Sequence, residues 1–334
     1  MKKNRNSKKI TLVTGGAGFI GSHLCERLIK DNHRVICIDN FNDFLYDPRL
    51  KEDNISEFKK HPNFTLIKGD ILDNKLLDKI FSKYKIQRIV HLAALAGVRS
   101  SLLSPTKYVD NDIKGTVNLL EKAKDYKIKQ FIFASSSSVY GVNKKVPFSE
   151  KDNVSLQVSP YATSKRAAEL YCQTYHYLYN IPTTILRFFT VYGPRQRPEM
   201  AIHKFTRLII QNKSIPVYGG GNSSRDYTYV DDIIEGIMKS MKKMAGIEIF
   251  NLGNSKPIQL KGLIEIIGKN IGVTPKVRKL PFQQGDVPTT FADIKKAKRI
   301  LGWIPKTPLD NGIKEFIKWY KKEENFLNRL KEYD

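Results

Sequence analysis

Tyr161 and Lys165 lie four residues apart in the run Ser-Pro-Tyr-Ala-Thr-Ser-Lys, at the head of a stretch with helical spacing, so one helix face carries both side chains. A phenol beside an ammonium can shed its proton near neutral pH and then take one from an alcohol. In a chain with 16 tyrosines and 57 lysines and arginines such a pair arises by coincidence, and two upstream features give it meaning. Glycines recur every third residue at Gly15, Gly18 and Gly21, and serines fill Ser135 to Ser138 just before Val139 and Tyr140. A glycine-rich turn, a serine run and a tyrosine beside a lysine together describe a redox site.

These residues need a scaffold, and the spacing of apolar residues supplies one. Short β-rich runs at 10–14, 34–38, 64–68, 87–92, 130–134 and 183–188 alternate with amphipathic helical stretches such as 22–32, 116–127 and 161–180. That alternation predicts βαβ units and an α/β fold with a Rossmann-type, doubly wound parallel sheet. After Arg187 the pattern loosens into Gly193-Pro194, a triple glycine at 219–221 and scattered prolines, which predicts a smaller C-terminal α/β domain for substrate. The expected division is a cofactor domain over 8–188, rejoined by about 226–253, and a second domain from 189–225 and 254–330.

Length and composition agree with such a design. A chain of 334 residues with 41% hydrophobic content can bury a large core, and its apolar runs are strand-length rather than membrane-spanning. Residues 1–9 are basic, but a strand, a glycine turn and a helix follow them instead of a signal-peptide core, so a cytoplasmic protein is expected. Cys25, Cys37 and Cys172 are far apart and odd in number, which supports neither a disulfide framework nor a zinc site. The net charge of +24 is spread along the chain without a nucleic-acid motif; it reads as a solvated lysine surface, with steering of a small anionic substrate as the alternative. Neither a specific nucleic acid nor a membrane is expected as partner.

The cofactor site is the best-defined element. Thr11-Leu-Val-Thr-Gly-Gly-Ala-Gly-Phe-Ile-Gly21 runs from strand through glycines into helix, where free amides and the helix dipole hold a pyrophosphate. Asp39, at the end of the next strand, can accept hydrogen bonds from ribose hydroxyls and would repel a 2′-phosphate, so NAD is favoured over NADP. The predicted cofactor wall is Gly15, Gly18, Phe19, Ile20, Asp39 and Asn40, then Asp70 and Ile71, then Leu92, Ala93 and Ala94, with Tyr161 and Lys165. Asp70 reads equally well as an adenine contact or a helix N-cap. His91 reads as a satisfied core histidine, and Asp231-Asp232 as helix caps rather than metal ligands; no metal is expected.

With Thr-Gly-Gly-Ala-Gly-Phe-Ile-Gly, His-Leu-Ala-Ala-Leu-Ala-Gly-Val-Arg, Ser-Ser-Ser-Ser-Val-Tyr-Gly, Tyr-Ala-Thr-Ser-Lys and Arg-Asp-Tyr-Thr-Tyr-Val-Asp-Asp in place, the chain resembles the extended short-chain dehydrogenase/reductases, and within them the NAD-dependent nucleotide-sugar epimerases. The likeness runs from about Ile10 to Trp319-Tyr320. It implies that Tyr161 is the acid/base on a sugar hydroxyl, that Lys165 holds the nicotinamide ribose and lowers the tyrosine pKa, and that Ser136 shares the hydroxyl proton, with Ser137 and Ser138 touching substrate. It also implies a homodimer built from two helices of each subunit.

Related 4,6-dehydratases and decarboxylases carry an acid just before Val-Tyr-Gly, where this chain has Ser138, so the resemblance implies that a 4-keto intermediate is reduced again on its other face. Arg187-Phe-Phe-Thr-Val-Tyr-Gly-Pro-Arg-Gln-Arg-Pro-Glu-Met-Ala201 and Gln284-Gly-Asp-Val-Pro288 are similar to stretches of UDP-glucuronate 4-epimerases, in which the residues matching Thr190 and Arg197 lie near the sugar carboxylate. An arginine fork suits a carboxylate; diphosphate binding or a solvated turn are the alternatives for this stretch. Arg225 resembles the position that pairs with diphosphate, Arg99 one over the substrate, and Asp286 one near a ribose hydroxyl. The competing readings are a UDP-glucose or UDP-N-acetylglucosamine 4-epimerase and, more remotely, a non-catalytic NAD-binding protein.

Overall fold

The six β-rich runs of the first 190 residues all form strands: β1 (Ile10–Thr14), β2 (Arg34–Asp39), β3 (Phe64–Lys68), β4 (Arg88–His91), β5 (Gln130–Ser136) and β6 (Thr183–Phe188). The computed structural model describes residues 9–243, 246–281 and 289–331. β2 and β5 outrun their predicted ends because pairing continues: Asp39 stands opposite Lys68, and Ser136 opposite Phe188. Further strands follow as β7 (Thr190–Tyr192), β8 (Ile215–Tyr218), β9 (Ser224–Tyr229), β10 (Ile247–Leu252), β11 (Pro257–Gln259), β12 (Val277–Leu280) and β13 (Thr289–Thr290).

Seven strands make one sheet in the order β10-β6-β5-β4-β1-β2-β3, with every neighbouring pair parallel. Helices cover both faces, which is why all seven residues of β5 are buried rather than alternating. On one face Leu24 and Leu28 of the helix Phe19–Lys30 join Ile233 and Ile237 of the helix Val230–Ser240. On the other, Leu77 and Ile80, Leu119 and Leu120, and Ala168 and Cys172 come from the helices Asn74–Lys83, Gly115–Asp125 and Pro160–Tyr179.

Beyond β6 the chain builds a smaller sheet in which β9 pairs with β7, β11 and β13, and a separate two-stranded sheet of β8 and β12. It returns to the large sheet through the helix Val230–Ser240 and β10, while β9 stays in the small sheet. Asp231 and Asp232 do not cap that helix. They occupy its first turn, and Asp232 turns outward to accept from the amides of Lys306 and Thr307, both at 2.9 Å. The caps are corrected because Tyr229 is the residue at the N-cap position, and the carboxylates fall after it. Among the described residues there is no cluster of three or more metal-ligating side chains, and no helix long and apolar enough to cross a membrane.

Candidate active site

The parallel strands end at one edge of the large sheet, and the loops after β1, β2, β4 and β5 open a cleft there. Gly15 leaves β1 with φ +68°, and a side chain at this position would lie 2.7 Å from the amide nitrogen of Ala93. At Gly21 a Cβ would come within 2.1 Å of the Gly15 carbonyl oxygen, so only glycine lets the helix Phe19–Lys30 sit against the turn. Gly18 is the N-cap of that helix and offers no side-chain cap, which leaves first-turn amides facing the cleft.

Asp39 is fixed at the end of β2 by the amides of Ala17 (3.1 Å) and Phe41 (2.9 Å), with Lys51 Nζ 3.7 Å away. Asn40 donates to Asp70 at 2.8 Å, and Asp70 also accepts from the Leu72 amide. The next helix is capped by Asp73, so Asp70 belongs to the cleft wall and is not its cap. Phe19, Ile20, Ile71, Leu92, Ala93 and Ala94 line the same cleft, and Lys51, which the sequence did not single out, joins them. A turn without side chains, free helix amides and a pinned carboxylate form a donor and acceptor set that fits a dinucleotide with free ribose hydroxyls. His91 points away from it: its nitrogens engage Thr14 (2.7 Å) and Thr116 (3.0 Å), and burial lowers its pKa to about 3.

Tyr161 and Lys165 enter from the first turns of the helix Pro160–Tyr179, where Ser159 is the N-cap and Pro160 occupies the first helical position. Lys165 donates to the Ala134 carbonyl at 3.0 Å. Ser136 stands near enough to Tyr161 to act on its ionisation, and its Oγ accepts from the Ser138 amide at 3.1 Å. Burial raises the Tyr161 pKa above its ordinary value; the Ser136 hydroxyl and the Arg197 charge oppose the rise, and Asp112 adds to it. The net shift of Tyr161 is therefore upward, with desolvation its largest cause. Burial likewise lowers Lys165, offset mainly by Asp112.

Two carboxylates behind this pair escaped the sequence reading. Glu169, one turn beyond Lys165, is fully buried; it accepts from Ser135 (2.6 Å), from Arg166 (3.0 Å) and, as a fork, from Arg187 (2.9 and 2.8 Å). Its four-residue spacing from Lys165 was the available signal. Asp112 stands on a π-helical turn, Val109–Lys114, and accepts from the Leu95 amide (2.8 Å) and the Ser164 hydroxyl (3.0 Å). Burial pushes its pKa up to about 6.

On the substrate side, Ser137, Ser138, Thr190 and Arg197 line the cleft together with Tyr161. Arg195 does not: its guanidinium pairs with Glu26 at 3.0 Å on the far side of the loop. Arg99 stacks over Tyr218, 5.2 Å from its ring centre, and Arg225 on β9 donates to the Ser224 carbonyl; both stand outside the cleft wall. Asp286, with the whole stretch 284–288, lies outside the described residues.

Comparison with known proteins follows this geometry. A family described as GDP-mannose 4,6 dehydratase matches residues 12–316. A UDP-glucuronate 4-epimerase of Thermodesulfobacterium geofontis is 44% identical over 321 residues, covering 96% of this chain and 98% of that protein. The crystal structure of UDP-glucuronic acid 4-epimerase from Bacillus cereus, in complex with UDP-glucuronic acid and NAD, superposes with a TM-score of 0.87 at 37% identity, covering 94% and 99% of the two chains. A UDP-N-acetylglucosamine 4-epimerase from Methanobrevibacter ruminantium, in complex with UDP-N-acetylmuramic acid, gives a TM-score of 0.86 at 33% identity, covering 95% and 99%. With its cleft at the strand ends and its tyrosine and lysine on one helix face, the chain belongs to the NAD-dependent nucleotide-sugar epimerases of the extended short-chain dehydrogenase/reductase family.

Proposed function

We propose that this protein interconverts UDP-glucuronate and UDP-galacturonate by NAD-dependent epimerisation at C4. The observation that carries this reading is the presence of Thr190 and Arg197 on the wall that holds Tyr161, with Arg197 near enough to act on the tyrosine's ionisation. Bound NAD would supply the redox chemistry, taking a hydride from C4 and returning it to the opposite face of the sugar ring.

The chain's own residues do the rest. Tyr161 takes the proton of the C4 hydroxyl and later returns it, and Ser136, beside the phenol, shares that proton. Gly15, Gly18, Phe19 and Ile20 hold the pyrophosphate, Asp39 and Asn40 the adenosine ribose, and Lys165 the second ribose. Arg197 and Thr190 bind the sugar carboxylate, which matters because a 4-keto glucuronate is a β-keto acid and a loosely held carboxylate aligns for loss of CO₂. Ser138 offers no acid to drive elimination, so the keto sugar is reduced again.

The similarity to UDP-glucuronate epimerases favours the acidic sugar, and the UDP-N-acetylglucosamine epimerase among the structural neighbours keeps a neutral sugar as the second reading. A homodimer accords with the apolar outer face of the helix Pro160–Tyr179, where Leu170, Tyr171, Tyr177 and Leu178 are exposed, and a cytoplasmic role in supplying a precursor for polysaccharide synthesis belongs to the same reading. The test is NMR of sugar anomeric protons, with UDP-glucuronate, UDP-glucose and UDP-N-acetylglucosamine incubated separately, with and without added NAD. UDP-galacturonate as the product is expected. Turnover of a neutral sugar alone would overturn the substrate assignment, and no turnover with NAD present would overturn catalysis.

A further inference from the structure

Arg197 lines the cleft, whereas Glu199, two residues on, does not. Between them the chain makes a tight turn closed by a hydrogen bond from the Met200 amide to the Arg197 carbonyl at 3.2 Å, with Pro198 at its second position. That turn sets the two side chains together: Arg197 Nε lies 2.9 Å from Glu199 Oε1. The contact is close but poorly directed. Arg197 Nε and both Glu199 oxygens are shielded from solvent, yet none has a well-aligned hydrogen bond. Charge holds this pair together, without the fork geometry that makes an arginine and a carboxylate strong.

A partly enclosed cation whose Nε has an anion beside it but no aligned hydrogen bond is poised to change partners. From this geometry we infer that Glu199 is a specificity-determining counter-ion: it holds Arg197 until the carboxylate of an acidic sugar takes its place, which rests on the substrate reading above. A neutral sugar brings no anion, and Arg197 then stays with Glu199. The pair therefore acts as a resting state that an acidic ligand must displace.

Glu199→Gln keeps the shape and removes the competing charge. In the full-length, NAD-loaded enzyme, calorimetric titration is expected to show UDP-glucuronate binding about tenfold tighter than in the parent, close to the lower end of what a hydrogen bond to a charged group contributes. UDP-glucose, titrated alongside, should change by less than about twofold, since it cannot recruit Arg197. If both ligands shift equally, or UDP-glucuronate weakens, the counter-ion role is wrong. Should Glu199→Gln not fold, Glu199→Asp lengthens the contact and should move the ratio of the two affinities in the same direction by a smaller factor; an unchanged ratio overturns the role. Turnover of UDP-glucuronate by the parent enzyme, followed by NMR, separates two failures. Turnover with an unchanged ratio sinks only Glu199, whereas no turnover sinks the reading of the site and this inference with it.

Discussion

Replacing Asp112 by asparagine should stabilise the protein, and only at higher pH. Asp112 is 1% exposed, and burial raises its pKa from 3.8 to about 6. At about 1.4 kcal/mol per tenfold, that displacement costs the charged form about 3 kcal/mol in the folded state. The sign follows from linkage. Below pH 3.8 the carboxyl is protonated whether the chain is folded or not, and nothing is lost; between about 4 and 6 the unfolded chain ionises first, and above about 6 the folded state bears the whole cost.

Asparagine stays neutral throughout and fits the same partners. Its oxygen can accept from the Leu95 amide, and its NH₂ can donate to Ser164 Oγ, whose own proton reaches the Tyr161 carbonyl at 2.9 Å. The expected gain is about 3 kcal/mol at pH 8, shrinking toward zero by pH 4. Urea midpoints for the two proteins at pH 4, 6 and 8, compared at unchanged m, measure it. A gain that does not vary with pH, or a loss at pH 8, would refute the assignment of a buried, strained charge. The same change removes the carboxylate that most offsets the burial of Lys165, so the lysine should lose its proton at lower pH and turnover should fall earlier on the alkaline side.

Two further outcomes test other parts of the site. Glu169→Gln leaves Arg187, 1% exposed, without its counter-charge and should cost about 3 to 5 kcal/mol in a denaturation experiment; a loss below about 1 kcal/mol would show that the core tolerates the bare guanidinium. Gly21→Ala puts a methyl against the Gly15 oxygen and the Gly16 Cα at 2.1 and 2.8 Å, both backbone atoms. The variant should retain much less NAD after gel filtration, and undiminished NAD content would mean that the turn is not the pyrophosphate cradle.

What could be read from the sequence was what depends on near neighbours. The glycine turn announces itself because each glycine answers a local need, positive φ at Gly15 and a close helix approach at Gly21. Tyr161 and Lys165 could be paired in advance because helical spacing alone brings them together, and the strands because their apolar runs are short and continuous. Asp112, Lys51 and the pairing of Glu169 with Arg187 were not legible, since each contact spans elements that meet only after folding. Asp231 and Asp232 resemble caps in the sequence because they open an apolar helical run, but the helix begins just before them and Asp232 serves the distant segment 306–307. The burial that raises the Tyr161 pKa is not legible either, because a neighbour can be read from spacing but desolvation cannot.

Arg187, Lys165 and Arg197 differ in how well they are paired, and that ranking suits the roles proposed for them. Arg187 shares a fork of two short bonds with Glu169, which also takes the Ser135 hydroxyl, so β5, β6 and the helix Pro160–Tyr179 are tied at one buried point. Trading such a partner leaves an uncompensated charge and costs several kcal/mol, which makes the pair a fixed support. Lys165 has a carbonyl for its proton and only the more distant charges of Asp112 and Glu169, so it keeps donors to offer a ligand. Arg197 holds Glu199 by charge alone, with its Nε bond undirected. Rigidity is thus concentrated behind Tyr161, while the two cations that face the cleft retain unmet hydrogen-bonding capacity, which is what a site must have if its cofactor and substrate are to complete it.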